Sequence, residues 1–278
     1  MGLQIEEGTF KGYDGSELFF QTWAQQSSQA VILGIHGLGE HSDSYKLLAE
    51  GLMGSPYQLI MSDLRGHGRS SGKRGVGTID EFVLDIKLFH SVVKTRFSGK
   101  PIFFLGHSMG GLVLSKLLIR HGDFGARGAI FSSPLLDLSV QIPKLKRKSA
   151  GVLAAMAPNM TLYNEIPLNH LSHDKEHVGT MELDHLRHNR ISPKLFVELL
   201  ASMKYVFDCA RKIQLPVLMQ LSGDDKIVSR PKAEEFYEQL EAKDKELLIY
   251  EQFYHEIYNE VGRDKPFSDL KKWLIKHQ

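Results

Sequence analysis

The sequence has few of the features that tie a chain to an oxidising compartment or to nucleic acid. It holds one cysteine, Cys209, so an internal disulfide is excluded and a reducing compartment fits. Its 34 Lys and Arg residues nearly balance its 33 Asp and Glu residues, which leaves a net charge of +1. A nucleic-acid-binding domain usually carries a strongly basic face. We therefore expect a cytoplasmic protein without a nucleic-acid partner.

Long hydrophobic runs are also missing. No apolar stretch approaches the ~20 residues that a membrane-spanning helix needs, and runs such as 152–157 are far shorter. Residues 1–7 include two acidic residues and no apolar run, so we expect no signal peptide there.

Short apolar runs are present in their place, separated by longer segments of helical period. Continuous runs of this length indicate strands buried on both faces, as in parallel sheets. The six candidate strands are residues 30–35, 58–61, 101–105, 128–131, 216–221 and 246–250.

Between these runs, apolar residues recur every three or four positions, which is typical of one face of a helix. The pattern runs from Ile79 to Phe97, and it recurs over 233–240 and 270–274. Thr78, with Glu81 three residues later, has the pattern of a helix N-cap. Alternating strands and helices predict a mostly parallel sheet with helices on both faces, which is an α/β fold.

One segment departs from this alternation. Residues 135–205 contain short helical patterns, no convincing strand and four prolines, at positions 143, 158, 167 and 193. We predict a single core domain formed by residues 1–134 and 206–278, with residues 135–205 inserted as a helical cap.

The segment Gly106-His107-Ser108-Met109-Gly110 matches the G-x-S-x-G pattern of a nucleophile elbow. A candidate strand precedes it and an apolar helical pattern from Leu112 to Leu118 follows, which is the context that the elbow requires. A second match around Ser70 lies in a glycine-rich loop, so we reject it. Ser108 is the predicted nucleophile, and the alternative is an ordinary helix N-cap serine.

A serine nucleophile needs a base, and the base needs an orienting acid. In this fold the chain order is serine, acid, histidine. His255 follows the last candidate strand, whereas His277 lies next to the end of the sequence, so we predict His255 as the base. Asp225 is the favoured acid because an apolar segment follows it, and its neighbour Asp224 remains the alternative.

Two backbone N–H groups are expected to stabilise the oxyanion. One belongs to Met109, which follows the nucleophile, and we assign the other to Leu38 in the glycine-containing loop after the first candidate strand. The alternative is a simple glycine-rich turn. We interpret the polar residues of that loop, His36, Glu40 and His41, as braces.

Several motifs together resemble the monoacylglycerol lipase and lysophospholipase family of α/β-hydrolases. They are the loop HGLGEHS at 36–42, the segment DLRGHGRS at 63–70, GHSMGG at 106–111, SPLL at 133–136 and FYHE at 253–256. The resemblance extends over nearly the whole chain.

The resemblance implies a capped α/β-hydrolase that cleaves single-chain acyl esters, most directly monoacylglycerol, without a metal or cofactor. It carries the catalytic triad to Ser108, Asp225 and His255, and the oxyanion donors to Leu38 and Met109. The cap would set the acyl length and head group. Alternatives are a lysophospholipase, a short-chain carboxylesterase or amidase, an acyltransferase, or a non-catalytic binding protein on the same fold.

The predicted cap adds two further hypotheses. Apolar residues such as Val152 and Met156 follow the basic run 144–148, which fits an amphipathic lid that touches a membrane surface. The alternative is a packed helix with a solvated basic face. Five histidines between His170 and His188 raise the question of a metal site, but no cysteine or fixed ligand spacing accompanies them, so we predict none.

Overall fold

The computed structural model describes residues 4–25, 27–140 and 143–278, without the side chains of Lys144, Lys146 and Arg147. Within these residues, eight strands form one sheet and two short strands form another. The strands are β1 (Gln4–Lys11), β2 (Glu17–Ala24), β3 (Ala30–Ile35), β4 (Tyr57–Ser62), β5 (Ile102–His107), β6 (Gly128–Ser132), β7 (Leu162–Tyr163), β8 (Arg190–Ile191), β9 (Val217–Ser222) and β10 (Lys245–Tyr250).

Helices alternate with these strands along the chain. They are α1 (Lys46–Gly51), α2 (Ile79–Arg96), α3 (Met109–His121), α4 (Lys144–Met156), α5 (Lys175–Leu183), α6 (Pro193–Asp208), α7 (Arg230–Gln239) and α8 (Asp264–Lys276). The Thr78 hydroxyl accepts a 3.1 Å hydrogen bond from the Glu81 N–H, so the predicted N-cap of α2 is confirmed.

The large sheet has the order β1-β2-β4-β3-β5-β6-β9-β10. The six strands from β4 to β10 in this order run parallel, while β2 pairs antiparallel with β4 and with β1. The prediction of a mostly parallel α/β sheet is confirmed, and each of the six candidate strands coincides with one parallel strand.

The N-terminal hairpin β1–β2 has no counterpart among the predicted strands. β1 is an edge strand in which most side chains are exposed or half-buried, so it has no continuous apolar run. The strands β7 and β8 were also missed, because two residues are too short to leave a pattern.

Apolar side chains pack on both faces of the large sheet. On one face, Phe82 of α2 and Leu117 of α3 belong to a buried cluster with Phe104 of β5. On the other, Leu48 of α1 and Trp273 of α8 pack in a second cluster. The parallel strands are therefore covered on both sides, as their apolar runs require.

The segment between β6 and β9 contains α4, α5 and α6. Helix α6 buries Leu195, Leu199, Met203 and Val206 in the same cluster as α2 and α3. The predicted boundary at 205/206 falls inside α6, and the division into core and cap stays a prediction. Across the described ranges, no helix is long and apolar enough to cross a membrane.

Candidate active site

Ser108 lies in the sharp turn between β5 and α3. Its backbone angles, φ 52° and ψ −121°, fall in a region that a residue with a side chain adopts only when its surroundings enforce it. Glycine makes the turn possible, since a Cβ at Gly110 would lie 2.1 Å from the Ile35 carbonyl oxygen. The chain at Ser108 is therefore held close against the end of β3.

The structure brings Ser108, His255 and Asp225 into one hydrogen-bonded chain. The Ser108 hydroxyl lies 2.8 Å from Nε2 of His255, and Nδ1 of His255 lies 2.8 Å from Oδ2 of Asp225. The second oxygen of Asp225 accepts from the N–H groups of Ile227 and Val228. With Nδ1 donating to Asp225, Nε2 is free to accept the serine proton.

The alternatives to the predicted acid, base and nucleophile take part in other contacts. Asp224 is half-buried and pairs with Lys226, and His277 contacts Asp244 and the ring of Trp273. The Ser70 hydroxyl is used structurally, because it donates to the Asp63 carbonyl and accepts from the Phe19 N–H. The hydroxyl of Ser108, in contrast, bonds to His255 rather than to the first turn of α3.

Charge and burial tune the two ionisable groups of this chain. Burial disfavours the charged imidazole, but the carboxylates of Asp225, Glu40 and Glu256 together outweigh this effect, and the pKa of His255 is raised. Burial also opposes ionisation of Asp225, yet His255 and two backbone N–H groups keep its pKa below the usual range. Asp225 thus stays anionic and supports a positive charge on the ring.

The loop carrying Leu38 runs directly against Ser108. A Cβ at Gly37 would lie 3.1 Å from that of Ser108, and Leu38 lines the cavity beside Ser108 and His255. Met109 is the first residue of α3 and is fully buried. Both residues predicted to donate to the oxyanion therefore lie next to Ser108. Leu38 belongs to the neighbouring loop, and Met109 directly follows Ser108 in the chain.

Three polar residues brace this loop. Glu40 accepts from the Gly37 N–H at 3.2 Å and from the Tyr45 hydroxyl at 2.8 Å. His36 accepts from the Leu64 N–H, and burial lowers its pKa. Nε2 of His41 lies 2.7 Å from the Asp184 carboxylate. These contacts agree with the bracing role expected of His36, Glu40 and His41.

A cavity of about 280 Å³ opens over Ser108 and His255. Its apolar lining residues are Leu38, Ile166, Leu168, Leu171, Met181 and Ile227. Its polar lining residues, apart from Glu40, are Asn164, Glu182, Asp184, Arg187, His188 and Asn189. The cavity therefore offers both apolar and polar contacts to a bound molecule.

Sequence reasoning missed a buried polar cluster beside this cavity. Glu256 bonds to Arg187 at 3.0 Å, to His177 at 3.1 Å and to Asn259 at 2.8 Å. An acid directly after His255 was a visible signal for Glu256. Nothing in the local sequence around Arg187 or His177 indicated that either side chain reaches it.

Three histidines of the predicted cap take part in separate contacts. His173 pairs with Glu260, His177 with Glu256, and the ring of His188 lies 4.6 Å from that of His67. Across the residues that the structure describes, no group of three or more His, Cys, Asp or Glu side chains is arranged to hold a metal ion.

One family model and several curated proteins are similar to this chain. The family model described as serine aminopeptidase, S33, matches residues 26–262. Human monoglyceride lipase is 31% identical over 268 residues, covering 94% of this chain and 88% of the human protein. Phospholipase YtpA of Bacillus subtilis is 28% identical over 89% of this chain and 95% of its own length.

A solved structure and a longer relative are also similar to this chain. The crystal structure of Paleococcus ferrophilus monoacylglycerol lipase matches over the whole of both chains, with a TM-score of 0.82 and 29% identity. An uncharacterized abhydrolase domain-containing protein of Dictyostelium discoideum is 30% identical over 94% of this chain, which spans 28% of that protein's length.

The fold and these matches define a serine hydrolase of the α/β-hydrolase superfamily that acts on esters. Within that superfamily, the chain belongs to the S33 serine aminopeptidase family and, inside it, to the monoacylglycerol lipase and lysophospholipase group.

Proposed function

We propose that this protein hydrolyses monoacylglycerol to a fatty acid and glycerol, with Ser108 as nucleophile, His255 as base and Asp225 as orienting acid. The observation that carries the proposal is the hydrogen-bonded chain from Ser108 through His255 to Asp225 at the base of the cavity. The names and similarity of the relatives supply the substrate class.

The geometry supports a two-stage reaction. Nε2 of His255 takes the proton of Ser108 as its oxygen attacks the ester carbonyl. The N–H groups of Leu38 and Met109 are the proposed oxyanion donors. His255 then gives the proton to the departing glycerol oxygen, and afterwards it activates a water that releases the fatty acid from Ser108.

The cavity walls favour a neutral head group over a phosphodiester. Three carboxylates line it, those of Glu40, Glu182 and Asp184, while its cation Arg187 is already paired with Glu256. An anionic phosphate would be repelled by these groups, whereas glycerol hydroxyls can donate to them. Lysophospholipid remains the second candidate, because one relative is named a phospholipase.

The decisive experiment is the Ser108→Ala variant with monoacylglycerol as substrate. We expect ester cleavage and labelling by a fluorophosphonate probe to be lost while the melting temperature is kept. Full activity in the variant would overturn the assignment of Ser108, and an unlabelled, inactive wild type would favour the non-catalytic alternative.

Substrate panels separate the remaining alternatives. We expect the wild type to cleave monoacylglycerol faster than lysophosphatidylcholine, short esters or amides of equal acyl length. A faster rate with the lysophospholipid would make lysophospholipid the favoured substrate and monoacylglycerol the second candidate. Transfer of the acyl group to an added alcohol in preference to water would indicate an acyltransferase.

We also propose that α4 touches membrane surfaces while the substrate is collected. Leu145, Val152 and Met156 are spaced seven and four residues apart, so they form one stripe along α4, and all three are exposed. Large exposed apolar stripes mark interaction surfaces. Of the basic run 144–148, the side chains of 144, 146 and 147 lie outside the described residues.

Vesicle binding tests this second proposal. We expect sedimentation with anionic vesicles that weakens as salt rises, and we expect the double substitution Leu145→Ser with Met156→Ser to reduce it. Absence of binding at every ionic strength would favour the packed helix with a solvated face.

A further inference from the structure

We propose that Arg187, in the predicted cap, is a positioning residue for the hydrolytic site, because it fixes the segment that carries His255 relative to the loop that carries Leu38. The proposal rests on the proposed function of Ser108 and His255. It adds a residue whose place in the chain gives no hint of such a role.

The contacts of Arg187 reach two separate elements of the site. Its Nη2 donates to Oε1 of Glu256 at 3.0 Å, and Glu256 is the residue directly after His255. Its Nη1 donates to the hydroxyl of Ser44 at 3.3 Å, three residues beyond the loop 36–41. One guanidinium therefore joins the base segment to the chain that continues the oxyanion loop.

Glu256 is held from several sides. Its Oε2 accepts from Nδ2 of Asn259 at 2.8 Å and lies 3.1 Å from Nε2 of His177. Its backbone N–H donates to the Leu171 carbonyl at 2.8 Å. The residue next to the base is thus fixed by its own loop through Asn259, and by the predicted cap through Arg187, His177 and Leu171.

Burial makes the pair strongly interdependent. The side chain of Glu256 is 3% exposed and that of Arg187 is 10% exposed. Removing one partner of a buried ion pair leaves the other charge poorly compensated, and the surrounding chain moves to relieve it. Because His255 directly precedes Glu256, such a movement would alter the distance between Nε2 of His255 and the Ser108 hydroxyl.

Arg187 also lines the cavity, so a direct contact with the head group is the competing role. The two roles predict different kinetics. A head-group contact would raise KM for monoacylglycerol and leave simple esters unaffected. A positioning contact would lower kcat for every ester, because it acts on the reacting groups themselves.

The experiment compares Arg187→Gln, Arg187→Lys and Arg263→Gln. Arg263 is the matched control, because it also pairs with an acid of the predicted cap, Asp174 at 2.9 Å, and follows the same base segment. Each variant is assayed with monoacylglycerol and with a p-nitrophenyl ester of the same fatty acid, after its melting temperature has been checked.

We expect Arg187→Gln to lower kcat about tenfold or more for both substrates, with KM changed less than about twofold. Arg187→Lys keeps the charge and should restore part of the loss, and Arg263→Gln should stay within about twofold of the wild type. A loss confined to KM for monoacylglycerol, or an equal loss in Arg263→Gln, would overturn the proposal.

The pH dependence of kcat/KM is a measurement that a purely structural role of Arg187 would not change in the following way. His255 faces the carboxylates of Asp225, Glu40 and Glu256 and the ring of His107. Removing the Arg187 cation should shift the acid limb of kcat/KM to higher pH, and Glu256→Gln should shift it to lower pH. Shifts in the same direction, or none, would contradict the proposal.

The outcomes also separate this proposal from the one on which it rests. A wild type that neither cleaves esters nor reacts with fluorophosphonate would overturn the proposed function. An active wild type with an equally active, folded Arg187→Gln variant would overturn the positioning role alone. If Arg187→Gln does not fold, Arg187→Lys, which keeps the charge but not both guanidinium contacts, and Glu256→Gln, which removes the partner carboxylate, decide the question. Unchanged kcat in both variants would overturn the positioning role.

Discussion

The sheet and the segment between β6 and β9 differ in how tightly their residues are enclosed. Every residue of β3, β5 and β9 is buried. In the segment between β6 and β9, α4 exposes an apolar stripe and Met181 is the buried residue of α5, whereas α6 packs into the main cluster. The central strands are therefore enclosed much more tightly than α4 and α5.

We propose that the central sheet carries the reacting groups and that the segment between β6 and β9 selects the substrate. Ser108, Asp225 and His255 follow β5, β9 and β10, and Leu38 follows β3. All four thus lie at the carboxyl edge of parallel strands, where α/β proteins assemble their sites. Most of the residues that line the cavity come from 164–189, so the segment between β6 and β9 shapes the space above Ser108.

The largest effect that we expect comes from the scaffold acid. Asp225→Asn should lower kcat about 10⁴-fold, because an amide no longer fixes the tautomer of His255 or supports its charge. The neighbouring Asp224→Asn variant is the control and should keep wild-type kinetics. A large loss in the control would reverse the assignment of the two acids.

Packing density should give the next largest contrast. Phe104 of β5 is fully buried, and we expect Phe104→Ala to lower the free energy of unfolding by about 3–5 kcal/mol. Met156 of α4 is 78% exposed, and Met156→Ala should change the free energy of unfolding by less than about 0.5 kcal/mol. Comparable losses in chemical denaturation would break the distinction between the two regions.

A contact between the two regions should give an intermediate effect. Gly39 has φ +79°, and a Cβ there would lie 2.1 Å from the carbonyl oxygen of His188. Gly39→Ala should therefore cost about 1–3 kcal/mol of stability and also lower kcat, because Leu38 is its neighbour. Gly54→Ala is a suitable control, since Gly54 also has positive φ but open space around it.

The smallest effect concerns pH. His255 must be neutral to accept the serine proton, and the carboxylates around it raise its pKa. Activity should therefore fall as pH drops through a midpoint above the ordinary histidine value of about 6.5. Glu40→Gln should lower this midpoint by less than about one unit. Glu182→Gln in the cavity wall should leave it unchanged, which a plot of kcat/KM against pH can test.

Local pattern was sufficient for the central strands and for several site residues. Apolar runs such as 101–105 and 216–221 predicted parallel strands, because burial on both faces demands an unbroken hydrophobic sequence. The strand-turn-helix context singled out Ser108 over Ser70, and its place directly after the last candidate strand favoured His255 over His277, which lies next to the end of the sequence. The polar edge strand β1 left no such pattern and was missed.

By itself, the sequence determined the α/β class, the predicted nucleophile and base, and a preference for Asp225 over Asp224. Only the tertiary structure decided that Asp225 contacts His255, and that Arg187 and His177 converge on Glu256 from 69 and 79 residues away. Period and spacing record which face of an element is buried, whereas a polar contact between distant segments depends on how the chain folds back on itself.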